Sequence, residues 1–103
     1  MSDMVMSVEE VEHGVRVSVA GDLDLPAGDA LEALVAPMVS PGRRIEIKMS
    51  GVDFLDSSGL GALLALSQLA GDAGATIVVK EPSTAVMSAL ELTQTASMFT
   101  VAP

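Results

Sequence analysis

The sequence predicts an α/β domain: a mixed, largely parallel β-sheet with helices packed against it. Strand-like and helix-like segments follow one another in the order β-β-α-β-α-β-α-β. Half of the 103 residues are hydrophobic, which is enough for one core. After the first two strands, each pair of successive strands is separated by a helix-like segment, as in right-handed crossovers between parallel strands. We therefore expect a single domain spanning residues 1–103.

The N-terminal part predicts a hairpin followed by a helix. Met4–Val8 has the alternation of a short strand, His13–Gly14 offers a turn, and Val15–Val19 alternates clearly between apolar and polar residues. Gly21–Asp24 is expected to be a loop, and Pro26 suits the start of a helix. The apolar stripe of this helix is Leu31, Leu34, Val35 and Met38.

The middle of the chain predicts a strand and a second helix. Pro37 and then Pro41–Gly42 end the first helix, and Ile45–Met49 alternates as a third strand. After the segment from Gly51 to Gly59, leucines recur at helical spacing until Gly71 and Gly74 close the helix. These leucines are Leu60, Leu63, Leu64 and Leu66.

The C-terminal part predicts a strand, a helix and an edge strand. Thr76–Val79 is a β-branched run of the kind found in buried parallel strands. Pro82–Ser83 opens a helix whose inward candidates are Val86, Met87 and Leu90, and Met98–Val101 can form a last short strand.

Composition excludes several classes of function. Five basic residues stand against fourteen acidic ones, a net charge of −9, so neither nucleic acid nor an anionic membrane is an expected partner. The N-terminus, Met1 to Glu10, lacks the basic-then-apolar pattern of a signal peptide, and no stretch reaches the ~18–20 apolar residues of a spanning helix. We expect a cytoplasmic protein without a cofactor.

Metal and catalytic sites are not expected either. No cysteine is present, His13 is the single histidine, and Asp22-x-Asp24 is not followed by the glycine and glutamate of a calcium loop. A serine hydrolase elbow needs glycine at both 56 and 60, where this chain has Asp56 and Leu60. No P-loop tripeptide occurs. The sequence thus indicates a protein that is not an enzyme.

The segment from Gly51 to Gly61 has the features of a site. It is expected to run from the carboxyl end of a strand into a helix N-terminus, where open α/β sheets place their sites. Asp56, Ser57 and Ser58 are residue types that cap helices, and glycines follow at 59 and 61. A phosphate on a serine here would meet backbone amides and the positive end of the helix dipole. The segment therefore predicts a phosphorylation site.

Asp56-Ser57-Ser58-Gly59-Leu60-Gly61, preceded by Phe54-Leu55, closely resembles the signature of STAS-domain anti-sigma factor antagonists. Gly21–Asp24 resembles the acidic loop of that family, and Ile45–Val52 and Leu90–Leu92 follow in the family's order. The resemblance implies phosphorylation of the second serine, Ser58, by a serine kinase that is itself the anti-sigma factor. It implies that the unphosphorylated form binds this kinase and frees a sigma factor, and that a PP2C-type phosphatase restores it.

On this interpretation the surface that binds the partner consists of residues at the predicted helix starts. Phosphorylation would add like charge beside Asp24 and Asp56, which disfavours the complex. The candidate partner-binding residues are Asp24, Asp56, Ser57, Ser58, Gly59, Leu60 and Gly61. We expect a monomer or a weak dimer.

Alternatives remain at several of these positions. The alternative role for each of Ser58, Asp56 and Asp24 is that of a helix cap only. Lys48 stands where relatives usually have aspartate; it is expected to point outward and to change the charge near the end of its strand. The alternative function is that of a non-switching STAS module, acting as a scaffold or as a subunit of a lipid-transport ATPase.

Overall fold

The computed structural model describes residues 4–103, which form one five-stranded mixed sheet with three helices. The strands lie in the order β1-β2-β3-β4-β5; β1 is antiparallel to β2, and every other neighbouring pair is parallel. The predicted α/β fold and element order are confirmed. The first three residues of the predicted 1–103 domain lie outside the described residues. The strands are β1 Val5–Val11, β2 Gly14–Leu23, β3 Arg44–Leu55, β4 Thr76–Lys80 and β5 Thr100–Ala102.

Three α-helices connect the parallel strands. Short 3₁₀ turns follow α1 and precede β5, at Ala36–Met38 and Ala96–Met98. None of the helices within 4–103 is long and apolar enough to cross a bilayer. The α-helices are α1 Leu25–Val35, α2 Ser57–Ala73 and α3 Thr84–Leu92.

The core lies between the helices and one face of the sheet. Alternate residues of β2, β3 and β4 enter it, among them Val17, Ile47 and Val79, which are fully buried. The predicted apolar positions of the helices meet them, with Leu31, Val35, Leu63, Leu66, Val86 and Leu90 buried and Leu34, Leu64 and Met87 partly buried.

The opposite face of the sheet is called the open face here, because the buried helix residues all pack on the other side. It carries the intervening residues of the strands, including Arg16, Ser18, Glu46 and Lys48. Such a one-sided cover is unusual for parallel strands, which are normally covered on both faces.

Strands β2 and β3 are longer than the sequence predicted. Gly21–Leu23 was expected to lie in a loop, and Gly51–Leu55 to follow the third strand. Both segments instead pair with each other through two register shifts, ending at Leu23 opposite Leu55. The pairing overrides the local turn signal, because Gly21 at φ 104° accommodates an irregular strand conformation.

Other boundaries also differ from the sequence analysis. Strand β1 continues to Val11, beyond the predicted Val8, and α1 ends at Val35, so Met38 of its predicted apolar stripe lies in the 3₁₀ turn Ala36–Met38. Helix α2 continues through Gly71 and is capped at Gly74, which adopts the left-handed conformation at φ 76°. The last strand begins at Thr100 and not at Met98, because the Phe99 amide donates to the Ala96 carbonyl and closes a 3₁₀ turn.

Candidate functional site

Strands β2 and β3 end at the same edge of the sheet, and each continues directly into a helix. Leu23 and Leu55 are register partners, so Asp24 and Asp56 follow at neighbouring positions. The Asp56 amide donates to the Leu23 carbonyl at 3.4 Å, which ties the two strand ends together. The sequence-predicted acids at 24 and 56 are thus brought to one edge.

Asp24 and Asp56 are the N-caps of their helices. Asp24 Oδ1 accepts a hydrogen bond from the Ala27 amide at 3.3 Å, and Asp56 Oδ1 accepts one from the Gly59 amide at 2.9 Å. Both residues have the extended backbone conformation of a cap. The capping role considered for Ser58 is therefore wrong: Asp56 is the cap, and Ser58 is the second residue of α2.

The first turns of α1 and α2 are in direct contact. A Cβ added to Gly28 would lie 3.2 Å from Ala62 Cβ and 3.4 Å from the Ser58 carbonyl oxygen. A Cβ added to Gly59 would lie 2.2 Å from the Leu23 carbonyl oxygen. Glycine at these positions lets the N-terminal ends of both helices approach each other and the strand edge.

Exposure differs along the predicted motif. Ser57 and Gly61 are exposed, and Ser58 is half-buried, so it still reaches solvent. Gly59 and Leu60 are buried, Leu60 with 8% of its surface exposed. Ser57, Ser58 and Gly61 can therefore contact another molecule. The buried Gly59 and Leu60 contribute to this surface by fixing the position of the turn.

By helix geometry, the amides of Ser57 and Ser58 have no acceptor inside α2. The Gly59 amide is already bound by Asp56, and the Leu60 amide makes the first helical bond, to the Asp56 carbonyl at 2.9 Å. Two donors at the positive end of the helix dipole therefore remain next to the serine hydroxyls. This arrangement favours a negatively charged group on either serine.

Leu25 and Phe54 are two exposed apolar residues at this edge that the sequence analysis did not include in the site. Leu25 follows the cap Asp24 and is 59% exposed; Phe54, near the end of β3, is 50% exposed. A signal for them was available, since each is a large apolar residue within two positions of a predicted capping acid. Exposed apolar patches rimmed by polar residues often mark protein-binding surfaces.

Lys48 lies away from this edge. It points outward on the open face, as predicted, opposite Ser18 of β2 and Lys80 of β4. It is not near the end of its strand, because β3 continues for seven more residues to Leu55. Any effect of Lys48 on recognition therefore belongs to a different surface.

No cluster of three or more potential metal-ligating side chains occurs in the part of the chain that the structure describes. His13 lies in the turn between β1 and β2, with φ 68° and an exposed side chain 3.4 Å from Glu12. The edge around Ser58 is thus built of hydroxyls, capping carboxylates, backbone amides and exposed apolar groups.

Comparison with known families and structures decides the family. A family model described as "Mlab, STAS domain" matches residues 6–100. The chain belongs to the STAS domain family. This STAS domain is 30% identical to a crystal structure of an anti-sigma factor antagonist from Mycobacterium paratuberculosis, with 98% of this chain and 86% of that chain covered and a TM-score of 0.80.

Two further relatives of this STAS domain are more distant. The anti-sigma-B factor antagonist of Bacillus subtilis (strain 168) is 22% identical over 88 residues, which cover 85% of this chain and 81% of that protein. The Bacillus cell fate determinant SpoIIAA in its phosphorylated form is 18% identical, with a TM-score of 0.71 and coverage of 96% and 92%. The predicted family resemblance is confirmed.

Proposed function

We propose that this STAS domain is an anti-sigma factor antagonist that switches partners through phosphorylation of Ser58. In its unphosphorylated form it binds an anti-sigma factor serine kinase, and the sigma factor held by that kinase is released. The kinase transfers phosphate to Ser58 and the complex separates, and a PP2C-type phosphatase restores the free hydroxyl. The domain acts by binding and not by catalysis, and we place this cycle in the cytoplasm.

The position of Ser58 is the observation that carries the proposal. It is half-buried in the first turn of α2, directly after the cap Asp56 and the exposed Ser57. Phosphorylation adds about −1.5 to −2 charges at pH 7. At the N-terminus of a helix such a charge is favourable by about 0.3–1 kcal/mol, so the fold tolerates the modification.

The same charge is unfavourable in the complex. The capping carboxylates of Asp24 and Asp56 lie on neighbouring helix starts, so phosphate on Ser58 adds negative charge to an already acidic edge. A partner surface that fits the neutral hydroxyl must then desolvate the phosphate beside like charges, which costs several kcal/mol. Each 1.4 kcal/mol is about a tenfold loss of affinity. Phosphorylation is therefore expected to release the partner without refolding the domain.

Leu25 and Phe54 supply the apolar part of the proposed interface. Leu25 is 59% exposed and Phe54 is 50% exposed, and both lie close to the capping acids in the chain. In protein interfaces, a few large side chains near the centre carry most of the binding energy. We expect these two side chains to anchor the kinase while the acids set its orientation.

The experiment is phosphorylation in vitro with the serine kinase encoded nearest to this gene, followed by mass spectrometry. We expect one phosphate on the wild type, none on Ser58→Ala, and one on the matched control Ser57→Ala. By calorimetric titration, the wild type and Ser58→Ala are expected to bind the kinase, and Ser58→Asp at least about tenfold more weakly.

Two outcomes would contradict the proposal. Phosphate on Ser57 with Ser58 unmodified would show that the proposal assigns the switch to the wrong hydroxyl. Equal kinase affinities of Ser58→Ala and Ser58→Asp would show that charge at this position does not control binding. A domain that no serine kinase modifies would instead fit the alternative of a non-switching scaffold or of a subunit of a lipid-transport ATPase.

A further inference from the structure

The distribution of charge over the sheet points to a second surface, separate from the edge around Ser58. The chain has only five basic residues against fourteen acidic ones. Four of the five lie on strands with their side chains on the open face, at Arg16, Arg44, Lys48 and Lys80. The cations of this strongly acidic protein are therefore concentrated on the open face, where Glu46 and Val78 are buried and the lysines are partly exposed.

In one part of this face the charged side chains form ion pairs with one another. Glu46 accepts hydrogen bonds from Arg16 Nε at 2.9 Å and from Arg44 Nε at 3.2 Å, and Arg16 also lies 3.4 Å from Glu9. Burial by itself raises the pKa of Glu46, but these hydrogen bonds outweigh it and hold the pKa below its usual range. This row needs no external partner.

The next row toward the Ser58 edge is different. Across β1 to β4 it reads Ser7, Ser18, Lys48 and Lys80, with no acid among them. Lys80 Nζ donates to the Pro103 main-chain oxygen at 2.7 Å, whereas Lys48 makes no ion pair with any residue from 4 to 103. Like charges on directly opposite strand positions are unfavourable. An anion beside Lys48 would offset that cost.

The surface beside Lys48 is concave. A depression of about 200 Å³ is lined by Lys48, by the three serines Ser7, Ser18 and Ser50, and by apolar groups that include Val5. Val5 is 66% exposed. Small-molecule sites usually occupy about 300–1,000 Å³, so this space suits a single side chain better than a metabolite.

We propose that the open face around Lys48 is a docking surface for an acidic segment of a partner protein, with a carboxylate of that segment bound between Lys48 and the serine hydroxyls. At physiological ionic strength the Debye length is about 8 Å, while the molecule measures 35 × 27 × 24 Å. The acidic residues on its other surfaces are therefore largely screened from a ligand on this face. This surface does not depend on the function proposed for Ser58.

The test uses a capped hexaglutamate peptide as the probe, with hexaglutamine as the uncharged control. Titration of the ¹⁵N-labelled protein at low salt is expected to shift the amide signals of Ser7, Ser18, Lys48 and Ser50. Lys48→Gln is expected to weaken binding about fivefold, the upper range for one exposed ion pair. Ser58→Ala is expected to bind the peptide like the wild type, which separates this surface from the switch.

Arg43→Gln is the matched control variant. It changes the net charge by the same amount as Lys48→Gln, and Arg43 precedes β3 and is not one of the four cations on the open face. Peptide binding by Arg43→Gln is expected to stay within about twofold of the wild type. Equal losses in the two variants, amide shifts confined to residues other than Ser7, Ser18, Lys48 and Ser50, or equal binding of hexaglutamine would overturn the proposal. Binding to phosphatidylserine vesicles that depends on Lys48, without binding to the peptide, would overturn it in favour of a lipid surface.

Discussion

Replacing Gly59 with alanine tests whether the first turn of α2 requires a residue without a side chain. A Cβ at this position would lie 2.2 Å from the Leu23 carbonyl oxygen and 2.8 Å from Leu55 Cδ1. Ordinary van der Waals contact begins near 3.4 Å, so the start of the helix must move from β2 by roughly 1 Å. That movement would also stretch the hydrogen bond from the Asp56 amide to Leu23.

The magnitude follows from two opposing effects. Overpacking usually costs about 1–3 kcal/mol, and Gly59→Ala belongs at the upper end because the atom it meets is a main-chain oxygen that cannot rotate away. Alanine in a helix recovers up to about 1 kcal/mol relative to glycine. We therefore expect the free energy of unfolding to fall by about 2 kcal/mol.

Gly61→Ala is the matched control, two residues further along the same helix. No heavy atom lies within 4 Å of a Cβ placed there. Gly61→Ala therefore has only the higher helix propensity of alanine and no steric cost. It should raise the free energy of unfolding by about 0.5–1 kcal/mol. Urea unfolding followed by circular dichroism measures both variants. A loss of less than about 0.5 kcal/mol for Gly59→Ala, or changes of the same sign at both glycines, would refute the packing argument.

Two further substitutions test the caps and the charge cluster. Asp56→Ala should lower the free energy of unfolding by about 1 kcal/mol in the same urea assay, because the Gly59 amide loses its acceptor. Asp56→Asn should keep the stability and weaken only kinase binding. Equal losses of stability in the two variants would contradict the capping role. Glu46→Gln should lower the free energy of unfolding at pH 7, because the pKa of the Glu46 carboxyl is lowered in the folded state. Such a carboxyl stabilises the fold at pH values above its ordinary pKa. That contribution is lost as the pH falls through the folded-state pKa. The difference in urea midpoint between the wild type and Glu46→Gln should thus narrow as the pH falls below the ordinary glutamate pKa of 4.5. Urea midpoints that differ by the same amount at every pH would count against the ion pairs.

Sequence reasoning was most successful where a local pattern has one physical meaning. The alternation of Val15–Val19 and Ile45–Met49 and the spacing of Leu31 and Val35 each predicted the element and the face that is buried. The β-branched run at Thr76–Val79 predicted a buried strand without assigning a face. It was least successful where strand pairing competes with a local turn signal, as at Gly21–Leu23.

At the candidate site, the sequence proposed the residues but could not decide which of them caps the helix. Asp56, Ser57 and Ser58 are all good capping residues, so local chemistry alone did not decide among them. The extended backbone of Asp56 and its hydrogen bond to the Gly59 amide made that choice and left Ser58 one position deeper in the helix. Leu25 and Phe54 became candidates only when their exposure was known.

By itself, the order of apolar and polar residues determined that this protein is an α/β domain and which residues of its amphipathic strands and helices are buried. Those properties depend on neighbours in sequence, and periodicity records them directly. Which helix starts touch each other, and that Lys48 shares a row with Lys80 and two serines, was decided only by the tertiary structure. Register between strands is set by the pairing of residues far apart in the chain, and no local pattern encodes it.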